Sequence, residues 1–342
     1  MNISNVQKLI EKVGNFILKY ENIGDSHVVD YFTQDHWGTM VDCDVRRVLG
    51  GFSMEELYGL PMRGGLGGER SEVKKYPDVK GHPGVKGQIT DLNAYVEEAW
   101  LCRVYSLDIL TSVKEVKKHL NFDPKYPLIP SHEFMSVKKS HEVEEMSPIV
   151  KSVCDYCLTN HVVDLGSDRG FPMSSFIHNK GITLGRNKRM LSMKSPERVA
   201  NCDVIMREQS EKSLFYRAIL SVILSENFNQ EIGNKDLKVG KIFAKSKSFV
   251  DYVRRSFVKL GLDGGVVSDG QIQGYLVEYE PRFKELVSFS MLRQVYAPAV
   301  ETLILLDKIC FLLESGNVGK IFLTEIFDRV KSPRCCAIIA VK

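Results

Sequence analysis

The sequence predicts an α/β fold, an incomplete Rossmann-like domain embedded among helices, and three observations point to it. A short β-branched run, His161-Val162-Val163, stops at Asp164 and turns at once through Gly166 and Gly170. That is how the first βα turn of a nucleotide-binding unit begins. Helical periodicity fills most of the chain on either side of this turn. Two strand-like runs, 321–327 and 335–341, close the chain, and the segment between them, with Pro333, suits an antiparallel hairpin.

In such a turn glycine lets backbone N–H groups approach a ligand, and the acid at the strand end orders the loop or accepts a hydrogen bond from the cofactor. The spacing Asp164-x-Gly166-x-x-x-Gly170 is the S-adenosylmethionine version of the loop, with Asp168 where a further glycine is usual. At about 4 Å two like charges oppose each other by about 1 to 4 kcal/mol, so Asp168 works against the cofactor's carboxylate. An acid roughly 20 residues further on normally holds the ribose hydroxyls. From Phe171 to Pro196 there is no Asp or Glu, whereas Lys180, Arg186, Lys188, Arg189 and Lys194 are basic. Glu197 follows within a helix start, with Ser195 at the N-cap and Pro196 in the first turn.

Taken in order, Val6, Leu9, Ile10, Val13, Phe16, Ile17 and Tyr20 predict an amphipathic helix over 4–21. Asp30 to Gly38 reads as a packed helix end anchored by Trp37, the alternative being a ligand role for Asp35 or His36. Glycines and prolines crowd 59–88 without phosphate-loop spacing, which predicts a loop. Helix is expected again over 91–120, ended by Pro124, Pro127 and Pro130. Next comes a helix with Val143, Met146, Val150, Val153, Cys154 and Cys157 on its buried face, bent by Pro148. Lys138, Lys139, His141 and Glu142 lie just before it, either lining a cofactor pocket or forming a solvated helix start. Further helices are expected around 214–223, over 249–260 closed by Gly261, after Ser268, and from Pro298 to Gly316.

The formal net charge of +3, with 44% hydrophobic and 26% charged residues, describes a folded chain and no generic nucleic-acid or membrane binder. Any basic surface is local, and 179–194 is the candidate for RNA contact; a solvated or acid-paired loop is the alternative. Charges at Lys8, Glu11, Lys12 and Lys19 oppose a signal-peptide core, and no apolar run nears the roughly 20 residues that span a bilayer. Eight cysteines without regular spacing suit free thiols in cytoplasm or nucleus. Cys154 and Cys157 have CxxC spacing with His161 nearby, but no second pair stands at zinc-site distance, so no metal is expected and the thiols are read as packed hydrophobes.

Several pieces together resemble the methyltransferase-like protein 25 family, including the ribosomal RNA adenine dimethylase domain-containing protein. They are Tyr31-Phe32 with Asp35-His36-Trp37-Gly38, Lys138 to Val143, Val162 to Gly170, Gly170-Phe171-Pro172-Met173-Ser174, Ser195 to Arg198, Tyr216-Arg217-Ala218, Leu305-Leu306-Asp307, and Phe327-Asp328 with Ser332-Pro333-Arg334. The resemblance implies a class I methyltransferase domain using S-adenosylmethionine, with Asp164, Gly166, Ser167 and Gly170 in the cofactor pocket and Lys139, His141 and Glu142 beside it. It names no catalytic residue, and the methyl acceptor, whether RNA, protein or small molecule, is not readable. In the family a long segment separates the glycine loop from the Gly-Phe-Pro element; here Gly170 serves both. A βα unit takes about 30 residues, so 171–213 cannot hold several.

The expected organisation is a helical region, 1–130, followed by a truncated methyltransferase-like domain, 131–342, with a helical insertion at 208–316. The expected function is that of a shortened methyltransferase-family member with impaired cofactor binding, its seam near Asp168-Arg169 arising by splicing or exon skipping. A non-catalytic interaction protein or regulatory isoform is the alternative, and an RNA-binding protein the third reading.

Overall fold

One helix, Phe283–Glu314, organises the chain. The computed structural model describes residues 1–63, 87–120, 135–162, 173–228 and 239–342. Leu286, Val287, Phe289, Met291, Leu292, Val295 and Tyr296 are all buried, so this helix is covered on every side from Leu286 to Val300. It runs straight through Pro298, where the sequence reading had placed its start. An interior proline costs about 3 kcal/mol. Each large apolar side chain fully buried before it returns roughly 1.5 to 3 kcal/mol, so the packing of 286–297 outweighs the break.

The first helix, Ile3–Lys19, lies along the long one and buries Val6, Ile10, Val13, Phe16 and Ile17, the stripe its spacing predicts. The Tyr296 hydroxyl donates to the Ile17 carbonyl at 3.1 Å, and the Tyr95 hydroxyl to the Leu292 carbonyl at 2.8 Å. Buried Arg293 donates to the carbonyls of Ser26 at 2.8 Å and Ile23 at 3.4 Å, and burial lowers its pKa to about 10. Helices Val204–Asn227 and Phe249–Leu260 complete this core, the latter closed by Gly261 at φ 71°. Helix Asp269–Tyr279 starts at a capping box between Ser268 and Gln271. Among the described residues no helix is long and apolar enough to cross a membrane.

The helix expected over 91–120 is two, Leu92–Leu101 and Val113–His119. Arg103 causes the break: its buried guanidinium stacks 4.3 Å from the Trp100 ring and donates to the Pro61 carbonyl and the Tyr105 hydroxyl. Ser112 and Glu115 then form a capping box that restarts the helix. Between the halves, Leu110 bridges Leu323, and the Thr111 N–H donates to the Leu323 carbonyl at 2.7 Å.

The closing hairpin forms as expected, with strand β1, Lys320–Glu325, antiparallel to β2, Cys336–Val341, in register from Lys320 opposite Val341 to Glu325 opposite Cys336. Successive side chains point to opposite faces. Ile321 and Leu323 join the helical core, while Phe322 and Ile339 meet Val116 and Leu120 on the other face. The pair is thus a wall with a helical body behind it. Among the described residues it is the whole sheet, so these residues build no parallel Rossmann sheet. His161 and Val162 are exposed and lie in no strand; Val163 to Phe171, most of the loop at 59–88 and the prolines at 124–130 lie outside the described residues.

Candidate functional site: an open groove beside the hairpin

Helix Val137–Tyr156 packs on the hairpin face that also meets Val116 and Leu120. Ser136 caps it, accepting the Lys139 N–H at 3.3 Å, and it continues through Pro148. Ile149, Val153 and Tyr156 pack on Phe322, Ile339 and their neighbours. The stripe expected to be buried is the other one. Val143, Met146, Val150 and Cys154 line a groove of about 800 Å³ with Phe327 and Arg334 as part of its far wall, and Met146 is 40% exposed. The helix carries two apolar stripes, and the described residues cover one.

The candidates from the sequence divide here. Lys139 and Glu142 line the groove. His141 turns away from it: its Nε2 accepts the Asp328 N–H at 2.9 Å, and its ring stands 5.9 Å from that of Phe327. Glu142 accepts from the Ser332 hydroxyl at 2.8 Å and pairs with Lys138 at 3.5 Å. His141 and Glu142 therefore fasten the helix to the turn that joins the two strands. That turn is held by the Cys335 carbonyl, which accepts from the N–H groups of Ile326 and Phe327 at 2.8 and 3.2 Å. The Asp328 carboxylate accepts the backbone N–H groups of Lys331 and Val330, which holds its pKa below the usual range.

Asp164, Gly166, Ser167 and Gly170 lie outside the described residues. The lining that is described fits S-adenosylmethionine poorly. A ribose diol calls for a carboxylate free to accept from hydroxyls. Glu142 is engaged by Ser332 and Lys138, and Asp155 by Lys151 on the same helix.

Cys154 is half-buried in the groove and Cys157 is exposed, so neither is the packed core thiol its spacing suggested. Among the described residues no set of ligand atoms gathers around them; Asp42, Cys43 and Asp44 do cluster, at a helix start where Asp42 caps Asp44. At 35–38 the packing reading holds: Asp35 caps a short helix through the Gly38 N–H, and His36 and Trp37 are buried. In the basic stretch, Lys188 Nζ lies 2.7 Å from Asp25 and 3.8 Å from Glu21, and Lys180 Nζ lies 2.6 Å from Glu11. Burial pushes the Lys194 pKa down, against the opposing charge of Glu211. These acids come from far along the chain, beyond any local signal.

No family model and no solved structure matches the chain. Curated proteins do, among them two named probable methyltransferase-like protein 25. The human protein is 45% identical over 173 residues, which cover 51% of this chain and 28% of that protein. The mouse protein is 40% identical over 204 residues, 56% of this chain and 33% of its own. The chain thus spans about a third of the length of these relatives. On that identity it is a homologue of methyltransferase-like protein 25.

Proposed function

We propose that this chain is a shortened relative of S-adenosylmethionine-dependent methyltransferases that keeps one corner of the domain and binds the cofactor weakly or not at all. The observation that carries this reading is the open groove: an apolar helix face of about 800 Å³ whose described acids are already paired. The short match to the relatives supports it, as does the absence of an acid between Phe171 and Pro196. In a methyltransferase the pocket holds the sulfonium methyl in line with the acceptor, and proximity supplies most of the rate. A ribose left unanchored forfeits that positioning.

Isothermal titration calorimetry of the full chain with S-adenosylmethionine, and separately with S-adenosylhomocysteine, tests the proposal. No saturable heat is expected below about 100 μM ligand, a ceiling of roughly −5.5 kcal/mol on the binding free energy. A Kd in the low micromolar range for either ligand overturns it.

A further inference from the structure

Cys335 and Cys336 follow one another where the hairpin turn enters β2, and their Sγ atoms lie 3.9 Å apart. Cys335 is buried and opens onto a small cavity, about 30 Å³, that also touches Arg329, Glu197 and Glu301. By a water-sized probe, about 10 to 15 Å³ is enough to hold one water, so a water-sized molecule fits. Arg329 is fixed there by a fork onto Glu325 at 2.6 Å and 2.6 Å, with its Nη1 3.5 Å from Glu197 and its guanidinium 4.4 Å from the Tyr105 ring centre.

We propose that Cys335 and Cys336 form a redox-active vicinal dithiol that hydroperoxide closes to a disulfide. The Cys335 sulfur attacks one peroxide oxygen. An S–O bond forms, the O–O bond breaks, and the departing hydroxide leaves as water with the thiol proton. The Cys336 sulfur then attacks the sulfenic sulfur, so that S–S forms, S–O breaks, and a second water carries off the Cys336 proton. Two thiols lose two electrons and the peroxide gains them. The neighbouring Cys335 thiol, then burial, holds the Cys336 pKa high, which suits the resolving role rather than the attacking one.

The bond is reversible for a geometric reason. Consecutive Cα atoms are about 3.8 Å apart, whereas a relaxed disulfide spans about 4.4 to 6.8 Å, so the ring is strained and easily reduced. Closing it also twists the peptide whose carbonyl, that of Cys335, anchors Ile326 and Phe327. Oxidation therefore loosens the turn that carries Phe327 and Arg334 on the groove wall.

The test treats the full chain, with Cys154→Ser and Cys157→Ser to remove the pair at CxxC spacing, with equimolar hydrogen peroxide before alkylation and mass analysis. The expected product has lost two hydrogens, maps to the peptide holding residues 335 and 336, and is restored by dithiothreitol. Cys336→Ser, at a half-buried position, is the variant that keeps the fold, and it is expected to lose this product entirely and to accumulate sulfenic acid at Cys335. If peroxide leaves both thiols alkylatable, drives Cys335 to sulfinic acid without a link, or gives the same loss in Cys336→Ser, the assignment is wrong.

Discussion

His36 is a buried base with no room for a second proton. Its Nε2 donates to the His27 carbonyl at 3.2 Å, which makes Nδ1 the bare nitrogen, and Nδ1 has no partner. The rings of Tyr31 and Phe289 stand 6.3 and 5.6 Å away. Burial first, and then the charge of Arg293, lowers the pKa from 6.5 to about 4. The unfolded chain therefore binds the proton more readily than the folded one between those values, and stability falls as pH drops through that window. With these two pKa values the loss is about 2 kcal/mol at about pH 5, relative to neutral pH. Urea unfolding of the wild type and of His36→Gln, each at neutral pH and near pH 5, isolates the effect. The wild type is expected to lose about 2 kcal/mol more than the variant, whose side chain does not titrate. Equal losses in the two proteins refute the argument, because every other titrating group is common to both.

Glu301 runs the opposite way: burial, then the charge of Glu197, raises its pKa to about 7 against the pull of Arg329 and Arg334, so the fold favours its protonated form. Stability tied to Glu301 is present below about pH 4.5 and declines as pH rises toward 7, and Glu301→Gln is expected to flatten that slope in urea titrations across the range. At Gly24 a Cβ would lie 2.7 Å from Tyr296 Cε1 and 2.8 Å from its hydroxyl, and the ring is fully buried. Gly24→Ala is expected to cost about 1 to 3 kcal/mol by overpacking, read as a lower denaturation midpoint. On helix Val137–Tyr156 the two stripes should separate: Met146→Gln in the groove changes stability by less than about 0.5 kcal/mol. Ile149→Ala against the hairpin costs about 1 to 2 kcal/mol, below the full-burial range because Ile149 is half-buried. Equal costs at 146 and 149 in chemical denaturation would mean that the groove is filled in solution.

What the sequence showed clearly was local. The stripe from Val6 to Ile17, the Gly261 stop, the Ser268 and Ser195 caps and the closing hairpin each depend on residues within a few positions of one another. Where reading failed, the deciding partner was remote. Pro298 stays helical because the residues before it are buried by the first helix and by Val204–Asn227. The break at Arg103 depends on the Pro61 carbonyl, 42 residues earlier. Lys180 and Lys188 look like an uncompensated basic loop until Glu11, Glu21 and Asp25 are brought beside them. The Ser112-x-x-Glu115 box is a local signal that marks the second helix start within the longer run of apolar periodicity.

Lys139 and Glu142 line the groove while His141 and Glu142 hold the hairpin turn, and the hairpin explains why. A two-stranded pair is marginal in water unless something packs on it. Here the helical body holds one face, and the other is shared by Val116 and Leu120 with a helix that leaves one apolar stripe exposed. Such a helix gains from polar fasteners at the end where its packing stops. His141 on the Asp328 N–H and Glu142 on buried Ser332 provide them, since each partner group would otherwise need another hydrogen bond. Residue types suited to a cofactor pocket are equally suited to fastening a turn, and only the position of residues nearly 190 places away distinguishes the two uses.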